Sequence, residues 1–275
     1  MKKPLIIAGF LFIVFSAVLP SFVHAATDDK VLFLHHSTGG NVWYGGNVAS
    51  WFSSYNSAHS TSYDVAERAY PNTPYPWANY PYDYWNLWIN GACNSSDSNI
   101  ECMNTMAAAY DIIIFKHCFP GASVVAANGN PDVTSSTQTL ANYQLQYRAL
   151  RTMMDSYPNT KFIVWTLVPL HRLATNASDA ARAKQFVDWV KDTWLTESGS
   201  HPNIFVFDFW GQVAGGDNFL RYEYEGSHTD GDSHPNATAN AAVGPVFAQF
   251  IVDTAGTASG ADTTPPAAPS GLSVL

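Results

Sequence analysis

Four apolar runs punctuate the chain, at 31–34 (VLFL), 111–115 (DIIIF), 161–167 (KFIVWTL) and 203–207 (NIFVF). They are too short for independent helices and apolar along nearly their whole length, so each reads as a strand buried on both faces. A weaker candidate lies at 63–67. The segments between them change period. From Thr137, the residues Leu140, Tyr143, Tyr147, Leu150, Met154 and Tyr157 step by three and four and stop at Pro158, which predicts one amphipathic helix. After Ser178-Asp179, the set Ala183, Phe186, Val187, Val190 and Trp194 predicts a second. A last helix, from near Asn236 to about Val252, is expected to bury Val243, Val246, Phe247 and Phe250. Strands alternating with helices imply an α/β chain with a parallel sheet covered on both faces, a three-layer α/β/α sandwich.

The ends differ from this body. Residues 1–25 carry Lys2 and Lys3, an apolar run from Pro4 to Leu19, and Val23-His24-Ala25 before Ala26. That is the pattern of a secretory signal peptide, which places the mature chain outside the cell or in the periplasm. Residues 26–255 then form one catalytic-size domain. Residues 256–275 are a proline-rich tail whose sequence DTTPPAAPSGLSVL resembles the linker and first strand of a fibronectin type III module. The formal charge is −9, and it falls to about −11 once the leader is removed. No basic run interrupts it, which argues against nucleic acid and anionic membrane surfaces as partners. With three cysteines in an oxidising compartment, Cys93 and Cys102, flanking a polar loop, are the natural disulfide pair, and Cys118 is a buried small residue. Their spacing fits no zinc pattern.

The aromatic stretch 70–90 (YPNTPYPWANYPYDYWNLWIN) contains prolines that forbid a continuous helix, and too many rings for a disordered linker. It reads as an ordered loop. Two roles stay open for it: an aromatic wall for a sugar or acyl group, or a lid packed on the core.

Chemistry concentrates in three places. The first strand runs into His35-His36-Ser37-Thr38-Gly39-Gly40, read as a turn carrying a serine hydroxyl, followed by a helix around 48–52 whose early N–H groups can face an oxyanion. The second strand-end carries Lys116-His117-Cys118, at the edge of a parallel sheet where ligands bind. The third place is Asp230-Gly231-Asp232-Ser233-His234-Pro235-Asn236. Its histidine and an adjacent carboxylate are the groups that activate a serine: the imidazole takes the hydroxyl proton, and the carboxylate fixes the tautomer. The same run also reads as an Asp-x-Asp-x-His metal turn, although further ligands are not evident and no metal is assigned. His35 reads as a packing residue, while Arg172 and Arg221 either recognise an acidic substrate group or brace loops.

This order, an early strand with a Ser-Gly turn, an α/β body and a late Asp-Ser-His-Pro-Asn, resembles the SGNH (GDSL-like) hydrolases over residues 30–253. The HHSTG turn and the KHCFP strand end resemble a divergent secreted branch. The resemblance implies a flavodoxin-like sandwich, Ser37 as nucleophile, His234 as base, and ester or acetyl-ester hydrolysis without a cofactor. The chain departs from the family at defined places. His36-Ser37-Thr38-Gly39 replaces Gly-Asp-Ser, and Gly231 stands three residues before His234, where the acid belongs. Either Asp232 or Asp230 serves as the acid, Asp232 being favoured, or a Ser-His dyad works with a backbone carbonyl. The Gly-x-Asn-Asp motif is missing. Lys116 or His117 occupies its place, and with Gly39 they stand as the oxyanion or substrate-binding set. Gly91 is the candidate for the family's oxyanion glycine. The expected function is a secreted serine esterase acting on an ester-bearing substrate, such as an acetylated polysaccharide. The alternative is a non-catalytic glycan-binding or surface protein on the same scaffold.

Overall fold

The computed structural model describes residues 29–76 and 79–257, so the leader and all but two residues of the tail lie outside it. Five strands, β1 (Lys30–His35), β2 (Asp64–Ala69), β3 (Ile112–Phe115), β4 (Lys161–Trp165) and β5 (Ile204–Phe207), form one parallel sheet in the order β2-β1-β3-β4-β5. This is the flavodoxin-like order, in which β1 and β3 flank the point where the winding reverses. The three-layer α/β sandwich expected from the apolar runs is the observed fold.

Alternation along each strand divides the core in two. Leu32, Leu34, Ile113, Phe115, Phe162 and Val164 face one layer, built by α3 (Pro81–Trp88), α4 (Met103–Ala109), α5 (Leu140–Asp155) and α6 (Ala177–Asp192). Val31, Phe33, Ile112, Ile114, Ile163 and Trp165 face the other, built by α1 (Ser37–Gly45), α2 (Val48–His59), α7 (Phe209–Val213) and α8 (Ala237–Ala255). All twelve of these strand residues are buried, and each large apolar side chain so removed from water contributes about 1.5–3 kcal/mol. No helix among the described residues is long and apolar enough to cross a membrane.

The helices follow their sequence signals at the ends. Thr139 caps α5 by accepting from Asn142 N–H, Asn176 caps α6, and Asn236 caps α8. Three readings need correction. The serine does not sit on a turn ahead of a later helix: α1 begins at Ser37 itself and runs through both glycines. Glycine is tolerated there because the helix lies directly on the strand end. A Cβ on Gly39 would meet His35 Cβ at 2.4 Å and Lys116 Cδ at 3.0 Å. The aromatic stretch is a loop only to Tyr80, because Pro81 occupies the first turn of α3, where a missing N–H is harmless. Its rings Tyr70, Tyr84 and Trp88 are buried and stacked in the core, so they form a packed lid; Trp77 lies outside the described residues. Finally, Val246 is exposed, since α8 turns that position to solvent while Val243 and Phe247 face the sheet. The Cys93–Cys102 disulfide is present, and Cys118 is free and buried.

Candidate active site

The register of the central strands places the site. Leu34 lies opposite Phe115, and the same offset carried three residues further sets Ser37 across from Cys118. Both positions are just past the C-terminal edge at the winding reversal, and Ser37 Oγ lies 3.9 Å from Cys118 Sγ. His36 has extended backbone as the N-cap of α1, which makes Ser37 the first helical residue and leaves its side chain exposed. The first bond back into this helix is Gly40 N–H to the His36 carbonyl. The N–H groups of Ser37, Thr38 and Gly39 have no partner among the described residues, so the first turn presents free donors beside the hydroxyl.

The loop before α8 brings the second half. His234 Nε2 lies 2.7 Å from Ser37 Oγ, and His234 Nδ1 lies 2.6 Å from Asp232 Oδ1. A carboxylate only accepts, so Nδ1 carries the ring proton and Nε2 is left to accept from the Ser37 hydroxyl. The same Asp232 oxygen accepts from His234 backbone N–H at 3.1 Å, which folds the two-residue spacing into a tight turn. Burial pushes the Asp232 carboxyl up. The bonds from the His234 backbone and ring outweigh this and hold it below its ordinary value. Asp230 braces the turn instead, since its Oδ1 accepts from Asp232 N–H at 3.0 Å and does not touch the imidazole. Phe119 packs edge-on against the His234 ring, with centroids 4.8 Å apart.

The remaining expected residues fall elsewhere. His117 is turned to the opposite face of the sheet, where Nε2 meets the Tyr147 hydroxyl at 2.8 Å and the ring packs against Tyr84. Burial lowers its pKa to about 3, and it is not an oxyanion donor. Lys116 points towards α1 but is sealed beneath it, with Nζ lacking any hydrogen-bond partner among the described residues. Burial lowers its pKa to about 8. Neither Asp111 nor Asp208 pairs with it: Asp111 accepts from Lys30 N–H, and Asp208 pairs with Lys191. Gly39 is buried and offers the site only its N–H. Gly91 sits after the C-terminal end of α3 with open space around it. His35 packs on Phe33 and bonds Glu67, while Arg172 and Arg221 brace loops through Glu225 and the Ala214 carbonyl. No group of three or more His, Cys, Asp or Glu side chains among the described residues is placed to hold a metal ion.

Phe119 is a site residue that the sequence pattern did not single out, and Cys118, read there as a buried small residue at the strand end, is the member of that strand end that lies beside Ser37. The two-residue period counted from Ile114 was the available signal, because it sends Lys116 and Cys118 towards α1 and His117 away from it.

No protein-family model matches the chain, and no curated protein matches it. Among solved structures it is similar to a Bacteroides fragilis protein provisionally described as an acylhydrolase, at 12% identity over 85% of this chain and 92% of that one, with a TM-score of 0.45. It is similar at the same identity and TM-score to a gut microbial diltiazem-metabolizing enzyme, covering 85% of this chain and 48% of that one. A third is a carbohydrate esterase whose active site is described as having divergent catalytic and non-catalytic binding functions, at 12% identity, 83% and 69% coverage, and a TM-score of 0.39. The chemistry of this site rests on its own geometry.

Proposed function

We propose that the protein is a secreted serine ester hydrolase of the SGNH type, acting on acyl esters, acetyl esters above all, carried by a polysaccharide. The observation that carries this reading is the hydrogen-bonded chain from Ser37 Oγ through His234 to Asp232, at 2.7 Å and 2.6 Å, in an order that activates the hydroxyl. Ser37 attacks the ester carbonyl as His234 Nε2 takes its proton. Asp232 stabilises the imidazolium, and the unpartnered N–H groups of the first α1 turn are the donors available to the tetrahedral oxygen as it gathers charge. His234 then gives the proton to the departing alcohol. Water, deprotonated by the same imidazole, releases the acid from acyl-Ser37.

Three features support a polymeric substrate outside the cell. Ser37 is exposed and the Asp232 side chain is 57% exposed, so the site is open to a group presented on a large chain. The leader-like first 25 residues and the Cys93–Cys102 disulfide suit an oxidising compartment. The test is release of acetate from acetylated xylan and from p-nitrophenyl acetate, with p-nitrophenyl palmitate as the lipid-like control. The wild type is expected to hydrolyse both acetyl substrates and to leave the palmitate nearly untouched, and Ser37→Ala to hydrolyse none. Retention of the glycan without any release would instead establish the non-catalytic binding reading.

A further inference from the structure

His234 is flanked on both sides by residues tied to Glu225, on one side through its buried carboxylate and on the other through its backbone, and Glu225 takes no part in the chain just described. Glu225 has a fully enclosed side chain yet carries three donors from two loops. Its Oε1 accepts from Arg172 Nε–H at 2.6 Å, and its Oε2 faces His228 Nδ1 at 2.7 Å and His171 Nε2 at 3.1 Å. The tautomer of His171 is fixed. Its Nδ1 accepts from Leu173 N–H at 3.0 Å, so the proton is on Nε2, which is shared between Glu225 and the Ser227 carbonyl at 3.0 Å.

From this hub, two connections reach the histidine. His171 donates its backbone N–H to Ser233 Oγ at 2.9 Å, and Ser233, itself fully buried, lies between Asp232 and His234. On the other side Glu225 forms a backbone bridge with Pro235, while the Asn236 amide side chain bonds the Glu223 and Glu225 carbonyls. The residues before and after His234 are thus both held by the Glu225 assembly. His234 itself is only partly buried and Asp232 is exposed. Outside the assembly, Tyr222 stacks on His228 and lies under Arg172, which fixes two of the three donors.

We infer that Glu225 is the positioning residue of the acid–base loop, holding His234 in line with Ser37 through His171–Ser233 on one side and Pro235 on the other. This rests on the hydrolase reading for its consequence, though not for its geometry. The informative variant is Glu225→Gln. It keeps the size and the Arg172 contact, but turns an NH₂ towards two imidazole donors. The probes are a fluorophosphonate, for the reactivity of Ser37, and the Nδ1 proton of His234 in nitrogen-edited NMR, assigned by its loss in His234→Gln.

In Glu225→Gln we expect an unchanged circular dichroism spectrum, labelling slowed about tenfold or more, a kcat loss with KM little altered, and a His234 Nδ1 proton broadened away by loss of its fixed bond. Labelling at the wild-type rate with an unaltered His234 signal would overturn the inference. If the wild type itself does not label, the hydrolase reading fails, and the His234 signal alone decides: loss in Glu225→Gln supports the positioning role, and persistence refutes it. Should Glu225→Gln not fold, Ser233→Ala replaces it. That variant cuts the His171–Ser233 connection, together with the long Ser233 Oγ–H bond to the Gly231 carbonyl at 3.4 Å, and leaves the Glu225 carboxylate in place; a several-fold slower labelling supports the inference where an unchanged rate with an unchanged His234 signal overturns it.

Discussion

Ser37 and His234 stand 197 residues apart in sequence and 2.7 Å apart in space, and each is placed by its immediate neighbours. Ser37 owes its exposure to the extended backbone of His36 before it, and His234 owes its tautomer to Asp232. Asp232→Asn keeps the shape of the turn but presents an amide that can hold the wrong imidazole tautomer. It is expected to lower kcat roughly 10²- to 10⁴-fold with little change in KM, measured on p-nitrophenyl acetate. A loss below threefold would show that His234 is oriented without the carboxylate. The meeting of the serine and histidine could be anticipated because Ser37 directly follows an apolar strand at the sheet edge and His234 has a carboxylate two residues before it. Lys116 and His117 were read as a pair facing the site because they follow a strand. The pleat separates them: one is sealed under α1, and the other is sent to the far layer with Tyr147.

Helix α1 is the element on which the site depends, and it was the least legible. Two consecutive glycines and two hydroxyl residues predict a turn on propensity, since glycine costs a helix interior about 1 kcal/mol. Tertiary contact reverses this, because the helix crosses the end of β1 so closely that the volume of a Cβ on Gly39 is already filled by His35 and Lys116. Gly39→Ala should therefore destabilise the fold, despite alanine's better helix propensity, by about 1–3 kcal/mol or more, read from urea unfolding. Unchanged or raised stability would mean that α1 stands further from the strand than described. The long helices were legible for the opposite reason. In α5 and α6 the periodic apolar faces, the caps at Thr139 and Asn176 and the buried contacts all agree.

Across the whole molecule, a parallel, doubly covered sheet could be anticipated because nearly every strand is apolar throughout. What composition could not disclose is the amine at its centre, which has no hydrogen-bond partner among the described residues. Lys116 is buried with its pKa brought down from 10.5 to about 8. Below about pH 8 it is protonated in both folded and unfolded chains, and burial of the charge weakens the fold by a constant amount. Between about 8 and 10.5 the unfolded chain binds more protons, so stability rises with pH across that window. Lys116→Met should raise stability at pH 7 by on the order of 3 kcal/mol and flatten that rise, as followed by denaturant unfolding at several pH values. A destabilised variant would show that the ammonium group has a compensating partner.

Activation of Ser37 by His234 underlies every step of the proposed reaction, and its most direct test is peptide mapping of the purified protein after exposure to a fluorophosphonate. The account predicts a single adduct, on the peptide containing Ser37, that forms more slowly in Asp232→Asn and is absent from Ser37→Ala and His234→Gln. An unmodified protein, or an adduct on Ser37 that forms equally fast without His234, would contradict it.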